Sequence, residues 1–83
     1  LSASDRKDAA AAERSAIASG EPTSWRNPDT GNSGRVAPTR SFEDAEGRPC
    51  REFEHQVIVD GRSESARGTA CRNARGEWEL VES

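Results

Sequence analysis

The feature that most constrains this chain is an Asp60-Gly61 turn signal between two strand-like runs within residues 49–73. Asp-Gly favours a two-residue type I′ turn, because both central residues of that turn need a positive φ. Such a turn fixes the strand register, and Cys50 and Cys71 lie at equal distances from it. The register therefore places the two cysteines directly opposite each other, in a non-hydrogen-bonded pair whose Cβ atoms come within disulfide range.

A Cys50–Cys71 disulfide is the first prediction from this register. It closes a loop of about 22 residues and contributes about 3 kcal/mol in the chain-entropy model. A structural disulfide indicates an oxidising compartment. The alternative is a cytosolic protein in which both cysteines are reduced and buried.

The same register divides the hairpin into two faces. Polar pairs such as Glu54–Arg67 occupy the face that we expect to meet water, with Ile58 as an apolar exception. The other face is the predicted core face, and it carries Phe53, Val57 and Val59 on one strand and Ala66, Gly68 and Ala70 on the other.

The composition is unusual for a folded chain of 83 residues. Only 31% of the residues are hydrophobic, and many of those are alanine. A core this small borders on disorder and needs a covalent staple, which the disulfide provides. The net charge of −3 and the scattered basic residues argue against a nucleic-acid partner. No stretch is long and apolar enough to span a membrane.

The first twenty residues predict a helix. Ser2 is the expected N-cap, with Asp5 three residues later as in a capping box, and Gly20 is the expected C-terminal stop. The apolar stripe consists of Ala9, Ala12, Ala16 and Ile17, with Glu13 interrupting it on one side. We interpret the helix as a lid over the core or a linker from an upstream domain; the alternative is a partner-binding helix.

The remaining segments predict further antiparallel strands. Trp25 lies on a short strand, residues 27–34 form a long polar hairpin loop, and residues 35–43 form a second strand in which Pro38 indicates an edge or a bulge. Turns at residues 44–47 and 73–76 each end in glycine, as in three-residue loops. With a three-residue loop, Trp78 and Leu80 of the last strand join the Phe53 face; a four-residue loop would reverse them.

Several stretches of the sequence resemble those of a known family. The chain looks like the C-terminal domain of the rickettsial-type 17 kDa surface antigen family. The similarity rests on Trp25-x-Asn27-Pro28-Asp29-Thr30-Gly31-Asn32-x-Gly34-x-Val36-x-Pro38, then Gly47-x-x-Cys50-Arg51-x-Phe53, Gly68-x-Ala70-Cys71-Arg72 and Gly76-x-Trp78.

The resemblance implies an envelope setting. Members of this family are outer-membrane lipoproteins, often with a signal peptide, a lipid-bearing cysteine and a glycine zipper upstream. None of these is found in this chain, which starts at Leu1 and contains no methionine, so we interpret it as an excised segment or mature fragment. Membrane association is therefore implied only through segments absent from this chain. The family has no established enzymatic activity.

The sequence predicts no catalytic residue, no metal site and no cofactor. His55 is the only histidine, and the register places it on the core face, where a hydrogen-bonded structural histidine is expected rather than a ligand. The serines lie in turns and polar strand positions, and the glycines do not form a phosphate loop. We therefore expect the chain not to be an enzyme.

One candidate binding surface remains in the polar loop. A loop of this length is able to contact a partner, and its candidate residues are Trp25, Asn27, Asp29 and Asn32. The alternative is a structural turn with a core tryptophan. An envelope protein or a glycan is the kind of partner that we expect.

These observations predict an α+β fold with one N-terminal helix, residues 1–20, packed on an antiparallel β-meander of four or five strands, residues 21–83. The predicted function is a non-catalytic module of the cell envelope, exported as the periplasmic or surface-facing domain of an outer-membrane lipoprotein, with a structural or interaction role. The alternative is a soluble periplasmic binding or inhibitor domain that uses residues 25–34.

Overall fold

The computed structural model describes residues 1–81 and confirms the predicted α+β architecture. The last two residues of the predicted sheet region, 82 and 83, lie outside the described residues. The elements are α1 Ala3–Ser19, β1 Thr23–Arg26, β2 Ser33–Glu43, β3 Pro49–Val59, β4 Arg62–Arg72 and β5 Trp78–Val81. The five strands form one antiparallel meander in sequence order, and α1 packs on one of its faces.

The β3–β4 hairpin has the predicted turn and register. Asp60 and Gly61 have φ values of 51° and 77°, as a type I′ turn requires. Every residue from Cys50 to Val59 faces its expected partner on β4, and Cys50 faces Cys71. The two cysteines are bonded, with their Cα atoms 4.0 Å apart. The predicted disulfide is therefore confirmed.

Helix α1 begins and ends as its sequence predicts. The Ser2 side chain accepts a hydrogen bond from the Asp5 backbone, the Asp5 side chain accepts one from the Ser2 backbone, and Gly20 adopts the left-handed conformation after the last turn. The predicted stripe faces the sheet, because its four members are all buried: Ala9, Ala12, Ala16 and Ile17. Small side chains let the helix backbone approach the sheet closely.

The core lies between α1 and the predicted face of the sheet. Trp25, Val36, Phe53 and Ala70 supply the sheet side of this core, with Val57 and Trp78 partly buried beside them. Phe53 lies over Gly68: a Cβ atom at Gly68 would come within 2.6 Å of the Phe53 ring. The predicted pairing of an aromatic ring with bare backbone is therefore confirmed.

The structure also confirms the predictions made for Pro38 in β2 and for the two apolar residues of β5. The β2–β3 register shifts between Pro38 and Arg40, so the proline does mark a bulge. Trp78 faces Arg72 and Leu80 faces Ala70, which places both β5 residues on the core face as the three-residue loop predicts. Within residues 1–81, no helix combines the length and apolar character needed to cross a membrane.

Candidate functional site

The β1–β2 loop is shorter and tighter than its sequence predicts. The Asn27 N–H donates to the Asn32 carbonyl at 2.9 Å, and the Gly31 N–H donates to the Asn27 carbonyl at 2.8 Å. Ser33 and Gly34 belong to β2 rather than to the predicted loop. Gly34 pairs with Trp25 across the strands, and a Cβ atom there would lie 2.4 Å from the indole nitrogen. The close approach of this ring explains a glycine inside a strand.

The structure buries three of the four candidate partner-binding residues. Trp25 is 8% exposed, Asn27 is 2% exposed and Asn32 is 8% exposed, whereas Asp29 is exposed. The three buried side chains direct their polar groups into the protein, which is the arrangement of a structural turn with a core tryptophan. Partner binding by this loop stays a prediction, and Asp29 is the one candidate of the four that solvent reaches freely.

A buried carboxylate connects the loop to the helix. Asp5 is 0% exposed. One carboxylate oxygen accepts from Thr30 Oγ1 at 2.7 Å and from Asn27 Nδ2 at 2.9 Å; the other accepts from Asn32 Nδ2 at 3.0 Å and from the Ser2 backbone at 3.1 Å. We call Asp5 and these four partners the Asp5 cluster. All four donors are neutral, and no ion pair formed within residues 1–81 includes Asp5.

The geometry of the Asp5 cluster explains the titration of its carboxyl group. These hydrogen bonds, the one from Thr30 foremost, lower the pKa of Asp5 well below its usual value of 3.8, although burial opposes the shift. The positive end of the α1 dipole also favours a negative charge at this position. Asp5 therefore stays ionised at ordinary pH and ties the first turn of α1 to the β1–β2 loop.

A second buried polar group lies further along the same helix–sheet interface. The indole N–H of Trp25 donates to His55 Nε2 at 2.8 Å, and His55 Nδ1 lies 2.7 Å from a carboxylate oxygen of Glu13. Because Nε2 accepts a hydrogen bond, the proton of a neutral imidazole is assigned to Nδ1, which donates to Glu13. The residue that interrupts the apolar stripe of α1 is therefore the one that binds the buried histidine.

The hydrogen bonds of Asp5 and Glu13 tie α1 to the β1–β2 loop and to the sheet. Throughout the described part of the chain, every buried side-chain nitrogen and oxygen has a hydrogen-bond partner. The one cluster of three potential metal-binding groups within residues 1–81 is Asp44, Cys50 and Cys71, and both of its sulfur atoms are consumed by the disulfide. The thiolate is the form of cysteine that binds metals, and a disulfide contains no thiolate.

Sequence reasoning placed His55 correctly and missed the wider role of Asp5. The alternation of β3 identified His55 as a core-face residue. The sequence predicts Asp5 only as a capping residue, although its carboxylate also binds side chains 22 to 27 positions away along the chain. The density of asparagine and threonine in the loop was the available signal, since such side chains donate as readily to a buried acid as to their own backbone.

Comparisons with known proteins give matches to one family. Residues 14–79 match a family model described as the 17 kDa outer membrane surface antigen. A 17 kDa surface antigen of Rickettsia bellii is 44% identical over 66 residues, which are 80% of this chain and 42% of the relative. A 17 kDa surface antigen of Rickettsia conorii is 41% identical over 63 residues, 76% of this chain and 40% of the relative.

The match is confined to part of each relative. The chain spans about two fifths of the length of the curated relatives that it matches. No solved structure gives a significant match. The family model begins within α1 and extends into β5, so it includes the loop, the disulfide hairpin and His55. On this coverage, the chain belongs to the 17 kDa outer membrane surface antigen family.

Proposed function

We propose that this chain is a non-catalytic module of the cell envelope, the periplasmic or surface-facing domain of an outer-membrane lipoprotein, with a structural or interaction role. The observation that carries this proposal is the family match over residues 14–79. The relatives are named surface antigens, and the family description places them in the outer membrane. The disulfide supports the same setting, because such bonds persist in oxidising compartments.

The site geometry supports a role without catalysis. Sites for covalent catalysis by serine or cysteine combine that nucleophile with a base and an open position for a substrate. Here the buried His55 accepts from Trp25 and contacts Glu13, and none of these groups is a hydroxyl or thiol nucleophile. The side chains of the Asp5 cluster likewise satisfy one another.

Cell fractionation of the organism's full-length protein tests this proposal. We expect the protein in the outer-membrane fraction, labelled by radioactive palmitate, with Cys50 and Cys71 protected from alkylation until a reductant is added. Protease treatment of intact and permeabilised cells then distinguishes a surface-facing domain from a periplasmic one. Recovery in the cytosolic fraction with both cysteines alkylated before reduction would overturn the proposal.

A further inference from the structure

Besides the outer sides of the short strands β1 and β5, the long strands β2 and β4 each have a stretch that no other strand covers within residues 1–81. β1 covers β2 only from Ser33 to Val36, and β5 covers β4 only from Thr69 to Arg72. The rest of each long strand presents backbone N–H and C=O groups outward. Such groups form a template for the addition of another strand.

The two edges differ in how well they resist such an addition. The free part of β2 contains Pro38, which has no N–H, and a register shift between Pro38 and Arg40 that interrupts a regular ladder. The free part of β4 has neither device, because its register with β3 is unbroken from Arg62 to Cys71. We call residues 62–66 the open edge; they lie clear of the last described β4–β5 pair, Thr69 with Val81.

The hydrogen-bonding directions along the open edge follow from the turn. Val59 and Arg62 flank a two-residue turn and form a hydrogen-bonded pair, so Arg62, Glu64 and Ala66 direct their backbone groups toward β3. Ser63 and Ser65 direct theirs away from the sheet. An added strand would therefore form backbone hydrogen bonds with these two serines.

An apolar groove adjoins the open edge on the core face. It lies between α1 and the β3–β4 surface and has a volume of about 600 Å³. Its apolar lining includes Ala9, Ala10, Phe53, Val57, Ala66 and Leu80. Several of these side chains are small, and Leu80 is 64% exposed. The groove has room for a large aliphatic side chain from an added strand, next to Ala66.

The charges on the open edge indicate which side chains an added strand should carry at its other positions. Arg62 and Glu64 are exposed, lie on the groove side of β4, and form no ion pair with another described residue. Residues directly opposite each other in an antiparallel pair stabilise it when their charges are opposite. A matching strand therefore carries, at alternate positions, an aliphatic residue opposite Ala66, a basic residue opposite Glu64 and an acidic residue opposite Arg62.

We propose that the open edge binds an extended peptide segment of another protein, as an antiparallel strand with the pattern aliphatic-x-basic-x-acidic. Backbone hydrogen bonds supply part of the affinity and the alternate side chains supply the specificity, as in other cases of strand addition. No segment within residues 1–83 has that pattern, so a second copy of these residues would not supply the strand, and we assign the site to a different protein. The proposal uses a surface separate from the β1–β2 loop and does not depend on the cellular location.

A designed peptide provides the test. The probe is a capped nine-residue threonine peptide with valine, lysine and glutamate at positions three, five and seven, and the control peptide has the lysine and glutamate exchanged. Amide hydrogen exchange is followed by NMR. We expect the probe to slow exchange at Ser63 and Ser65 by about tenfold or more, while Arg62 and Glu64, already bonded to β3, change little. The control should need about tenfold higher concentration, since both charge pairs become repulsive.

Two variants at one position separate binding from folding. Ser65→Pro removes an outward-pointing N–H, which an edge strand tolerates, and should abolish protection by the probe. Ser65→Thr keeps the N–H and should bind like the wild type. Unchanged exchange at Ser63 and Ser65 with millimolar probe would overturn the proposal. So would equal binding of both peptides, or binding that Ser65→Pro leaves intact.

Discussion

At one end of β3, Cys50 is bonded covalently to Cys71, whereas at the other end the β1–β2 loop is held to α1 by hydrogen bonds to Asp5. The two ends are about 26 Å apart along the strand. The disulfide lies on the outer face of the sheet and joins neighbouring strands; the Asp5 cluster lies on the core face and joins the helix to the loop. A core with few large apolar residues is thus supported at both ends, by a bond that responds to reductants and by an anion that responds to acid.

The disulfide end should show the larger effect when it is broken. Replacing both cysteines with alanine, Cys50→Ala with Cys71→Ala, should lower the free energy of unfolding by about 3 kcal/mol, because the unfolded chain regains the entropy of an open loop. Urea denaturation monitored by the fluorescence of Trp25 and Trp78 measures this loss. The reduced wild-type protein is the control and should behave similarly. A loss below about 1 kcal/mol would show that the bond hardly restricts the unfolded chain.

The Asp5 end should show the next largest effect, and it should depend on pH. In Asp5→Asn, one accepting oxygen of the carboxylate is replaced by an NH2 group, which only donates. The side chains of Thr30, Asn27 and Asn32 all donate to Asp5, so at least one of these donors loses its acceptor. The pKa of Asp5 is lowered in the folded protein, so its stabilisation is fully present above the usual value of 3.8 and is lost as the pH falls through the folded pKa.

Thermal melting between pH 7 and pH 2 measures this dependence. The difference in Tm between the wild type and Asp5→Asn should be largest near neutral pH and should shrink below pH 3.8. Asp44 is the matched control, since the backbone N–H of Arg48 lowers its pKa in a loop close to the disulfide sulfurs. Asp44→Asn should change the same low-pH part of the plot of Tm against pH, but it should not loosen the contact between α1 and the β1–β2 loop. A Tm difference for Asp5→Asn that is constant with pH would contradict the assignment.

The packing beside the Asp5 cluster can be broken by a single methyl group. In Gly34→Ala, the new Cβ atom would lie 2.4 Å from Trp25 Nε1 and 2.9 Å from the Gln56 carbonyl, so the ring has to leave His55. Overpacking of this kind costs about 2 kcal/mol. The control is Gly31→Ala, which has open space but a φ of 76° and should cost about 1 kcal/mol. Denaturant midpoints compare the two; a smaller loss for Gly34→Ala would contradict the steric explanation.

The smallest effect is expected at the contact between helix and histidine. Glu13→Gln keeps an oxygen that accepts from His55 Nδ1, so the loss should be about 0.5 kcal/mol, whereas Glu13→Ala removes the acceptor and should cost about 1.5 kcal/mol. Nitrogen NMR shifts of His55 in the wild type should show the proton on Nδ1. A proton on Nε2 would mean that the indole of Trp25 does not donate there.

In this chain, the sequence predicts those parts of the structure that depend on residues close together along the chain. The hairpin register follows from Asp60-Gly61, and the helix limits follow from Ser2 and Gly20, since turns and caps act over a few positions. The contacts of Asp5 and Glu13 are different: their partners lie 22 to 42 positions away. Those pairs form only once α1 has a definite position on the sheet, which local spacing does not specify. The sequence does predict the candidate loop, but the inward orientation of Asn27 and Asn32 depends on the position of α1.

The symmetric β3–β4 hairpin also restricts which insertions and deletions this chain can accept during evolution. A one-residue insertion or deletion between the turn and either cysteine would offset Cys50 from Cys71 and separate their sulfurs. One added residue on each strand restores the opposition but carries the disulfide to the helix side. Two on each strand is the smallest change that keeps both the bond and its face. Length variation should therefore accumulate in the loop before Cys50 and the one after Cys71, while the distance between the two cysteines stays constant.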